Sequence, residues 1–366
     1  MSRRLSKKLT RHESVSDDIC TPWKNGHYRG HPGFLGMLLL VEGENFTLFG
    51  ASGKPTNQDD PTLKGTWTYG AFGEAHADVE KETGKSLCNV EITAWGGMFK
   101  VHAVLSDDRK RLTFYGMAHD VDFFEWMSEE ELAEYLDSGD PVDAPPNHYK
   151  IQPENQGKLL WLSGAPGLGK STSGHLLSKK AGYVYYEADC FMNQLNPYIP
   201  PDAEEPSLAM MSQNFLKGVP QQRIDDVAEA MGDFLAFIEG REYDVEKVCR
   251  FYSAMCADIA SEQKRIGGDW AVAQAVPTRA FRDHIRKNLP PNLIFVVIHM
   301  TKEDQTARIK ERHGDAAQAV TDMLTKMYDL YETATQDEPN AIHLLVTKDM
   351  SRDDVVEKIL RVVKSY

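Results

Sequence analysis

The residues best suited to chemistry are eight consecutive positions, 164–171, which read Gly-Ala-Pro-Gly-Leu-Gly-Lys-Ser and fit the pattern G-x-x-x-x-G-K-[ST]. Glycines permit positive φ and let successive backbone N–H groups approach a polyphosphate. Lys170 is expected to reach the β- and γ-phosphates, and Ser171 to hold Mg²⁺. An apolar run at 158–163 precedes the motif and a helical pattern at 172–180 follows it. This strand–loop–helix context predicts a nucleotide-binding loop with the residues Gly164, Ala165, Pro166, Gly167, Leu168, Gly169, Lys170, Ser171 and Thr172.

A second group of polar residues follows the next predicted strand, at 183–187. Residues i and i+2 of a strand share a face, so Glu187 and Asp189 are predicted to point the same way. They would lie at the carboxyl end of the sheet, where open α/β sheets bind ligands.

Three stretches further along the chain complete a resemblance to a known group of enzymes. Residues 275–286 read Ala-Val-Pro-Thr-Arg-Ala-Phe-Arg-Asp-His-Ile-Arg and look like the A-L-x-x-x-x-R-D-x-L-R stretch of gluconate kinases. Residues 306–314 follow the fourth predicted strand as a lid does, and residues 347–351 follow the last strand, where an adenine-contacting loop would lie. Together with the phosphate loop and the acidic pair, they resemble the small-molecule kinases of the gluconate kinase, shikimate kinase and adenylate kinase group over about 158–364.

The resemblance implies an ATP- and Mg²⁺-dependent phosphotransferase acting on a sugar acid, an alcohol or a nucleotide-type acceptor. It implies that Asp189 orients or deprotonates the accepting hydroxyl, and that Ser171, Glu187 and Asp189 hold the metal, Glu187 through water. Arg279 or Arg282 would clamp an anionic substrate or the transferring phosphoryl group. Arg308 and Arg312 lie at i and i+4 on one helix face, from which they could neutralise charge in the transition state. The catalytic set is then Lys170, Asp189, Arg308 and Arg312, with Glu187, Asp189, Arg279 and Arg282 on the substrate side.

Two features depart from these kinases. The third predicted strand, at 270–276, carries no Walker-B aspartate, and the segment 191–268 is longer than expected for a gluconate kinase. Residues in this insertion repeat at helical spacing over 224–238 and 248–259, which predicts two amphipathic helices that pack on the core or cap the substrate.

Strands alternate with helices from residue 157 to residue 366, which predicts an α/β domain. The strand candidates 159–163, 183–187, 270–276, 293–299 and 341–346 are continuously apolar or β-branched, as strands buried on both faces are. We therefore expect a parallel five-stranded P-loop kinase sheet with helices on both faces.

The N-terminal part, 21–138, has a period of two and predicts seven or eight short antiparallel strands that form a barrel or a sandwich. Its many aromatic residues could line a cavity for a ligand or fill a core, and this domain could also bind a protein partner. A capping box pairs Ser128 with Glu131 at the start of a short helix. A disordered basic arm is predicted at 1–20 and a proline-rich linker at 139–156.

Composition narrows the class of function. The formal net charge of −14 disfavours a nucleic-acid partner, since such binding depends on excess Lys and Arg. No apolar run suggests a membrane segment, and five cysteines without a C-x-x-C pair suit a reducing, cytoplasmic setting. The competing hypothesis is a nucleotide-gated switch or signalling protein, in which the kinase-like half binds ATP and the β-rich half binds a ligand or partner. A P-loop ATPase acting on nucleic acid is a third possibility, disfavoured by the net acidity.

Overall fold

The computed structural model of the chain divides into two compact units, Met1–Gly139 and Asp140–Tyr366. The structure describes residues 26–30, 38–42, 45–49, 63–70, 89–94, 99–105, 110–114, 123–141, 148–192, 195–204, 216–220, 222, 233–234, 236–237, 242–313, 324–325 and 327–366. The predicted arm at 1–20 and residues 142–147 of the predicted linker lie outside these ranges.

The described part of the first unit is an antiparallel sheet in sequence order. Its strands are β1 (Gly26–Gly30), β2 (Leu38–Glu42), β3 (Asn45–Phe49), β4 (Leu63–Gly70), β5 (Asn89–Ala94), β6 (Phe99–Leu105), β7 (Arg111–Phe114) and β8 (Phe123–Trp126). Each strand pairs with the next, and Tyr28 of β1 also pairs with Trp126 of β8, so the ring of pairings closes into a barrel. The predicted antiparallel, β-rich domain is therefore confirmed.

The described side chains of this unit show why the strands alternate. Leu39 and Val41 of β2 are buried, and so is Phe46 of β3 opposite Val41. Helix α1 (Glu129–Asp137) follows β8 and begins with the predicted capping box. Ser128 N donates to Glu131 Oε2 (2.7 Å), and Glu131 N donates to Ser128 Oγ (3.2 Å).

The second unit contains a five-stranded parallel sheet, as predicted. A short strand β9 (Asp140–Pro141) opens the unit, followed by β10 (Gln152–Ser163), helix α2 (Lys170–Ala181), β11 (Val184–Glu187), helix α3 (Ala188–Met192) and a short strand β12 (Leu216–Lys217) that pairs with β9. Then come helix α4 (Val245–Ile266), β13 (Gly267–Ala273), helix α5 (Arg279–Asn288), β14 (Leu293–His299), helix α6 (Lys302–His313), β15 (Ala341–Leu345) and helix α7 (Arg352–Val363). The sheet order is β11-β13-β10-β14-β15.

Strand β10 begins seven residues before the predicted strand at 159, inside the segment predicted to be a linker. Gln152 pairs with Gly267 and Gln156 with Gly268, each with a register shift before the regular ladder begins at Leu159. The partners come from β13, which is distant in sequence, so the local polar composition of 152–156 did not indicate a strand.

Both faces of the sheet are buried, which explains the continuous apolar strands. One face, with Trp161 and Trp270, packs against α4 and α5, and the other, with Leu160 and Leu162, packs against α2 and α7. The predicted helix at 248–259 lies within α4 and packs on the core. Its apolar residues at helical spacing all belong to the first of these two cores: Val248, Phe251, Tyr252, Met255 and Ile259. Of the other predicted insertion helix, at 224–238, only four positions are described, and Phe234 and Phe237 among them are buried.

The middle strand, β10, ends between β13 and β14 and leads through residues 164–169 into α2. This places the phosphate-loop sequence at the carboxyl edge of the sheet, beside the ends of β11 and β13. Among the described residues, no helix is long and apolar enough to cross a membrane.

Candidate active site

The loop from Gly164 to Gly169 has the backbone of a phosphate-binding loop. Gly164, Gly167 and Gly169 have φ of 139°, 79° and 84°, in the region that favours glycine. Helix α2 begins after Gly169 without a side-chain cap, which leaves its first N–H groups available to an anion. Ala165 and Leu168 point inward and are buried, whereas Gly167 is exposed. The arrangement forms a positive, amide-lined cradle in which Pro166 and Thr172 are half-buried.

Lys170 lies across this cradle. Its Nζ donates to the carbonyl oxygens of Gly164 (2.9 Å) and Ala165 (3.0 Å). Burial lowers the pKa of Lys170, while the nearby charges of Asp189 and Glu187 oppose that change. The ammonium group therefore lies between the loop and the acidic pair.

The acidic pair does not have the predicted strand geometry. Strand β11 ends at Glu187, and Asp189 is the second residue of α3, so the two are not alternate residues of one strand. Asp189 N donates to Glu187 Oε1 (3.3 Å), because the chain turns into the helix at once. Both carboxylates nevertheless lie near Lys170.

Glu187 is buried within a hydrogen-bonded cluster. Tyr185, two residues earlier on the same strand face, donates its hydroxyl to Glu187 Oε2, and the Ser171 side chain also hydrogen-bonds to this carboxylate. Gly174 of α2 is required here, since a Cβ at this position would lie 2.4 Å from the Tyr185 ring. The cluster thus joins the first turn of α2 to the end of β11.

Burial raises the proton affinity of both carboxyl groups. Burial, and next the charge of Asp189, raise the pKa of Glu187 to about 8, although Tyr185 and Ser171 donate to it. Burial also raises the pKa of Asp189, and Lys170 opposes that rise. Asp189 is exposed to solvent, yet the surrounding protein atoms are close enough to shift its pKa.

The donor set suits a magnesium ion held jointly with a nucleotide. Ser171, Glu187 and Asp189 offer hydroxyl and carboxylate oxygens, which are the ligands that Mg²⁺ prefers. No cluster of three or more His, Cys, Asp or Glu able to hold a metal occurs among the described residues.

The two arginines predicted near the acceptor lie in different environments. Arg282 is fully buried, and its three guanidinium nitrogens donate to Glu338 and to the carbonyls of Glu332 and Thr333. Arg279 is half-buried and pairs with Asp337 (2.7 Å). Of these two arginines, Arg282 is fixed by its buried ion pair with Glu338. Arg279 can contact a ligand if it gives up its ion pair with Asp337.

Helix α6 lies against the phosphate loop. Gln305 Nε2 donates to Pro166 O (2.6 Å), and Ile309 lies 3.1 Å from where a Cβ of Gly167 would be. Arg308 donates through Nη2 to Thr347 O (3.1 Å) and Met350 O (3.3 Å), in the loop predicted to contact adenine. Arg312 belongs to the same helix, and its side chain lies outside the described ones.

Three polar side chains at the site were not singled out from the sequence. Tyr185 had a usable signal, since it lies two residues before Glu187. Gln274 directly follows β13 and is buried, with its Nε2 donating to Met192 Sδ (3.2 Å). Tyr331 lines a small cavity with Gly164, Ala165, Leu168 and Val276. Tyr331 is distant in sequence from these residues, so no local pattern indicated its place.

Comparison with known proteins gives structural neighbours only. Neither a protein-family model nor a curated protein matches the sequence. Among solved structures, the chain is similar to a gluconokinase from Sinorhizobium meliloti, with 16% identity over 58% of this chain and 94% of that one and a TM-score of 0.38. It is also similar to a sugar kinase from Janibacter sp. (16% identity, 57% and 95% covered, TM-score 0.37) and to shikimate kinase from Aquifex aeolicus (15%, 57% and 96%, TM-score 0.29). Because these TM-scores are low, the description of residues 140–366 as a P-loop kinase-like fold rests on its own parallel sheet, strand order and phosphate loop.

Proposed function

We propose that the second unit is a phosphotransferase that moves the γ-phosphoryl group of ATP to a hydroxyl group of a small molecule. The observation that carries this proposal is the meeting of three groups at one edge of the sheet: the glycine cradle of 164–169, Lys170 across it, and Asp189 beside Lys170.

Each of these residues has a separate role in an in-line transfer of the phosphoryl group. The loop amides and Lys170 bind and orient the phosphates, and Asp189 accepts the proton of the acceptor hydroxyl. The acceptor oxygen forms a bond to the γ-phosphorus, and the bond from that phosphorus to the bridging oxygen breaks, with its electron pair leaving on ADP. Mg²⁺, held by Ser171 with Glu187 and Asp189, would supply charge neutralisation at the phosphates when bound. Arg308 and Arg312 are proposed to neutralise the same charge from α6, and Arg279 to contact the transferring group.

A second candidate is a nucleotide-gated switch. It is favoured by the separate compact unit of residues 1–139, which a metabolic kinase does not require. In this alternative ATP binds to the same loop, no phosphate is transferred, and the β-rich unit binds a ligand or partner.

Lys170→Ala tests the phosphotransferase directly. We expect loss of phosphate transfer from MgATP to any acceptor, because the variant removes the cation between loop and acidic pair. Lys180→Ala is the matched control: Lys180 lies on the same helix, pairs with Asp353 (2.8 Å) at the surface, and should keep wild-type turnover. Transfer at the wild-type rate by Lys170→Ala would overturn the assignment. ATP binding by the wild type without transfer to alcohols, sugar acids or nucleoside monophosphates would favour the switch.

A further inference from the structure

Three buried polar atoms beside the proposed site have no hydrogen-bond partner among the described residues: Gln305 Oε1 against the phosphate loop, and, nearer the acidic pair, the hydroxyl oxygen of Tyr331 and Oε1 of Gln274. Buried polar atoms are nearly always paired, and leaving one unpaired costs free energy. Atoms of this kind at the carboxyl edge of an α/β sheet are therefore candidates for contact with a ligand.

Gln274 lies where the middle of the sheet meets the acidic pair. Its N–H donates to Leu162 O (3.2 Å), extending the β13–β10 ladder by one residue towards the loop. Its Nε2 donates to the sulfur of Met192, on the short helix that also carries Asp189. Because the sulfur can only accept, this contact fixes the amide orientation and leaves Oε1 unpaired. Gln274 thus offers an acceptor of hydrogen bonds.

Tyr331 lies next to the phosphate loop. It lines the small cavity with Gly164 and Val276, and burial raises the pKa of its phenol, with a further rise from the nearby charge of Asp189. The phenol is therefore neutral in the physiological range and offers an O–H donor. Tyr252 lies close by, with its own hydroxyl donating to Ala275 O (3.1 Å). Tyr331 thus shares a cavity with Val276, two residues after Gln274.

The segment that carries Tyr331 is fixed in position. Glu332 N donates to Pro277 O (2.8 Å), and the Glu332 carboxylate accepts from Arg279 N (2.6 Å). The buried pair of Arg282 and Glu338 ties the same segment to α5. A hydroxyl on a segment held in this way is preorganised for recognition.

The charges nearby argue against an anionic acceptor. Asp189 and Glu187 are acidic, and two arginines of α5, Arg282 and Arg286, are held in ion pairs with the buried Glu338, while Arg279 would have to leave Asp337 to contact a ligand. The amide oxygen of Gln274 needs an O–H or N–H donor, which a hydroxyl group supplies.

Building on the proposed function, we propose that Gln274 and Tyr331 bind the phosphate acceptor, and that this acceptor is a neutral polyol. One hydroxyl of the polyol donates to Gln274 Oε1 and another accepts from the Tyr331 hydroxyl. The hydroxyl that receives the phosphoryl group faces Asp189. Gln274 and Tyr331 act as specificity-determining residues for this reaction.

The test uses the full-length protein with MgATP, measuring ADP release against two sets of acceptors. The neutral set is erythritol, ribitol, sorbitol and myo-inositol, and the anionic set is gluconate, shikimate and AMP. We expect turnover with members of the neutral set and a higher kcat/KM for them. Tyr331→Phe removes one hydrogen-bonding atom, and Gln274→Met removes both polar atoms of the amide, each at similar side-chain shape. Both variants should raise the acceptor KM by roughly 3- to 10-fold, with the KM for ATP unchanged.

Tyr243→Phe is the matched control, since it removes the same atom from a half-buried tyrosine that packs on Phe237 outside the site. A merely structural role for Tyr331 would instead lower the thermal midpoint and leave the acceptor KM unaltered. Turnover of gluconate, shikimate or AMP with the polyols inert would overturn this inference and leave the phosphotransferase standing. Polyol turnover that neither variant weakens would overturn it in the same way. If no member of either set is phosphorylated while ATP binds, the proposed function fails and the inference with it.

Discussion

At the scale of single residues, Gly164 is a position where the backbone leaves no room for a side chain. Its φ is 139°, and a Cβ built there would lie 2.3 Å from the carbonyl oxygen of Ile298 and 3.2 Å from Leu168. The close approach of β14 to the start of the loop therefore requires glycine. The motif requires glycine here so that the backbone can approach a phosphate group. The contact with Ile298 requires glycine as well, because it leaves no space for a Cβ.

Gly164→Ala should destabilise the protein more than Gly182→Ala, which supplies the matched control. Gly182 also has a positive φ, of 73°, but a Cβ there meets nothing within 4 Å. We expect a cost of about 1–2 kcal/mol at Gly182 from the left-handed backbone alone. At Gly164 the clash with a backbone oxygen should add about 1–3 kcal/mol. Urea denaturation of the two variants checks this order, and equal losses would contradict the packing argument.

The sequence indicates the proposed site residues to different degrees. The loop residues and Lys170 could be proposed together because their chemistry depends on a contiguous motif. Glu187 and Asp189 were proposed as a pair, although the expected strand alternation does not extend to Asp189. Arg282 was misleading, because an arginine in a motif reads the same whether its partner is a ligand or the buried Glu338. Tyr331 and Gln274 could not be found, since their partners are distant in sequence.

At the scale of elements, the contact between α5 and the segment 327–338 is an ionic cluster. Arg282 Nε lies 2.7 Å from Glu338 Oε1, and Arg286 Nη2 lies 2.6 Å from the same oxygen. Both members of the first pair are inaccessible to solvent. Burial alone would raise the pKa of Glu338, but the hydrogen bonds from Arg282 and Arg286 outweigh it and lower that pKa.

Glu338→Gln should therefore be strongly destabilising at neutral pH. Removing one member of a buried ion pair leaves the other charge uncompensated, which typically costs about 3–5 kcal/mol. The double variant Arg282→Met/Glu338→Leu removes both charges and should recover much of that loss. Denaturation at pH 7 measures the three proteins. A double variant less stable than Glu338→Gln would show that packing, and not charge compensation, dominates the contact.

The same pair predicts a dependence on pH. A carboxyl whose pKa is lower in the folded state adds stability that is complete above its ordinary value of 4.5 and is lost as pH falls through the folded-state pKa. The difference in unfolding free energy between the wild type and Glu338→Gln should therefore shrink as the solution is acidified below pH ~4.5. A difference that stays constant down to pH ~2 would mean that Glu338 ionisation does not contribute.

At the scale of the whole molecule, the two compact units are expected to respond differently to nucleotide. Calorimetry should show that a non-hydrolysable ATP analogue with Mg²⁺ raises the unfolding temperature of the unit 140–366 and leaves that of the unit 1–139 unchanged. At 100 times the Kd, binding adds about 2.7 kcal/mol to the stability of the state that binds. Lys170→Ala should abolish the shift. A shift of both transitions would instead support nucleotide coupling between the units, as the switch hypothesis requires.

What could be predicted from the chain alone is what depends on neighbours in sequence. The period of two, the alternation of apolar strands with helices, the capping box at Ser128 and the phosphate loop are all local patterns, because backbone geometry repeats over a few residues. These patterns were enough to predict an antiparallel unit followed by a parallel α/β unit. They left open how the antiparallel sheet closes and where each arginine side chain goes.

The tertiary structure decided the features that depend on residues far apart in sequence. Pairing of β1 with β8 closes the first sheet, and pairing of Gln152 and Gln156 with β13 draws part of the expected linker into a strand. Tyr331 lies beside the phosphate loop, and Arg282 forms a buried ion pair with Glu338. The physical reason is the same each time: the energy of these contacts comes from partners that only the folded chain brings within reach, so no local pattern records them.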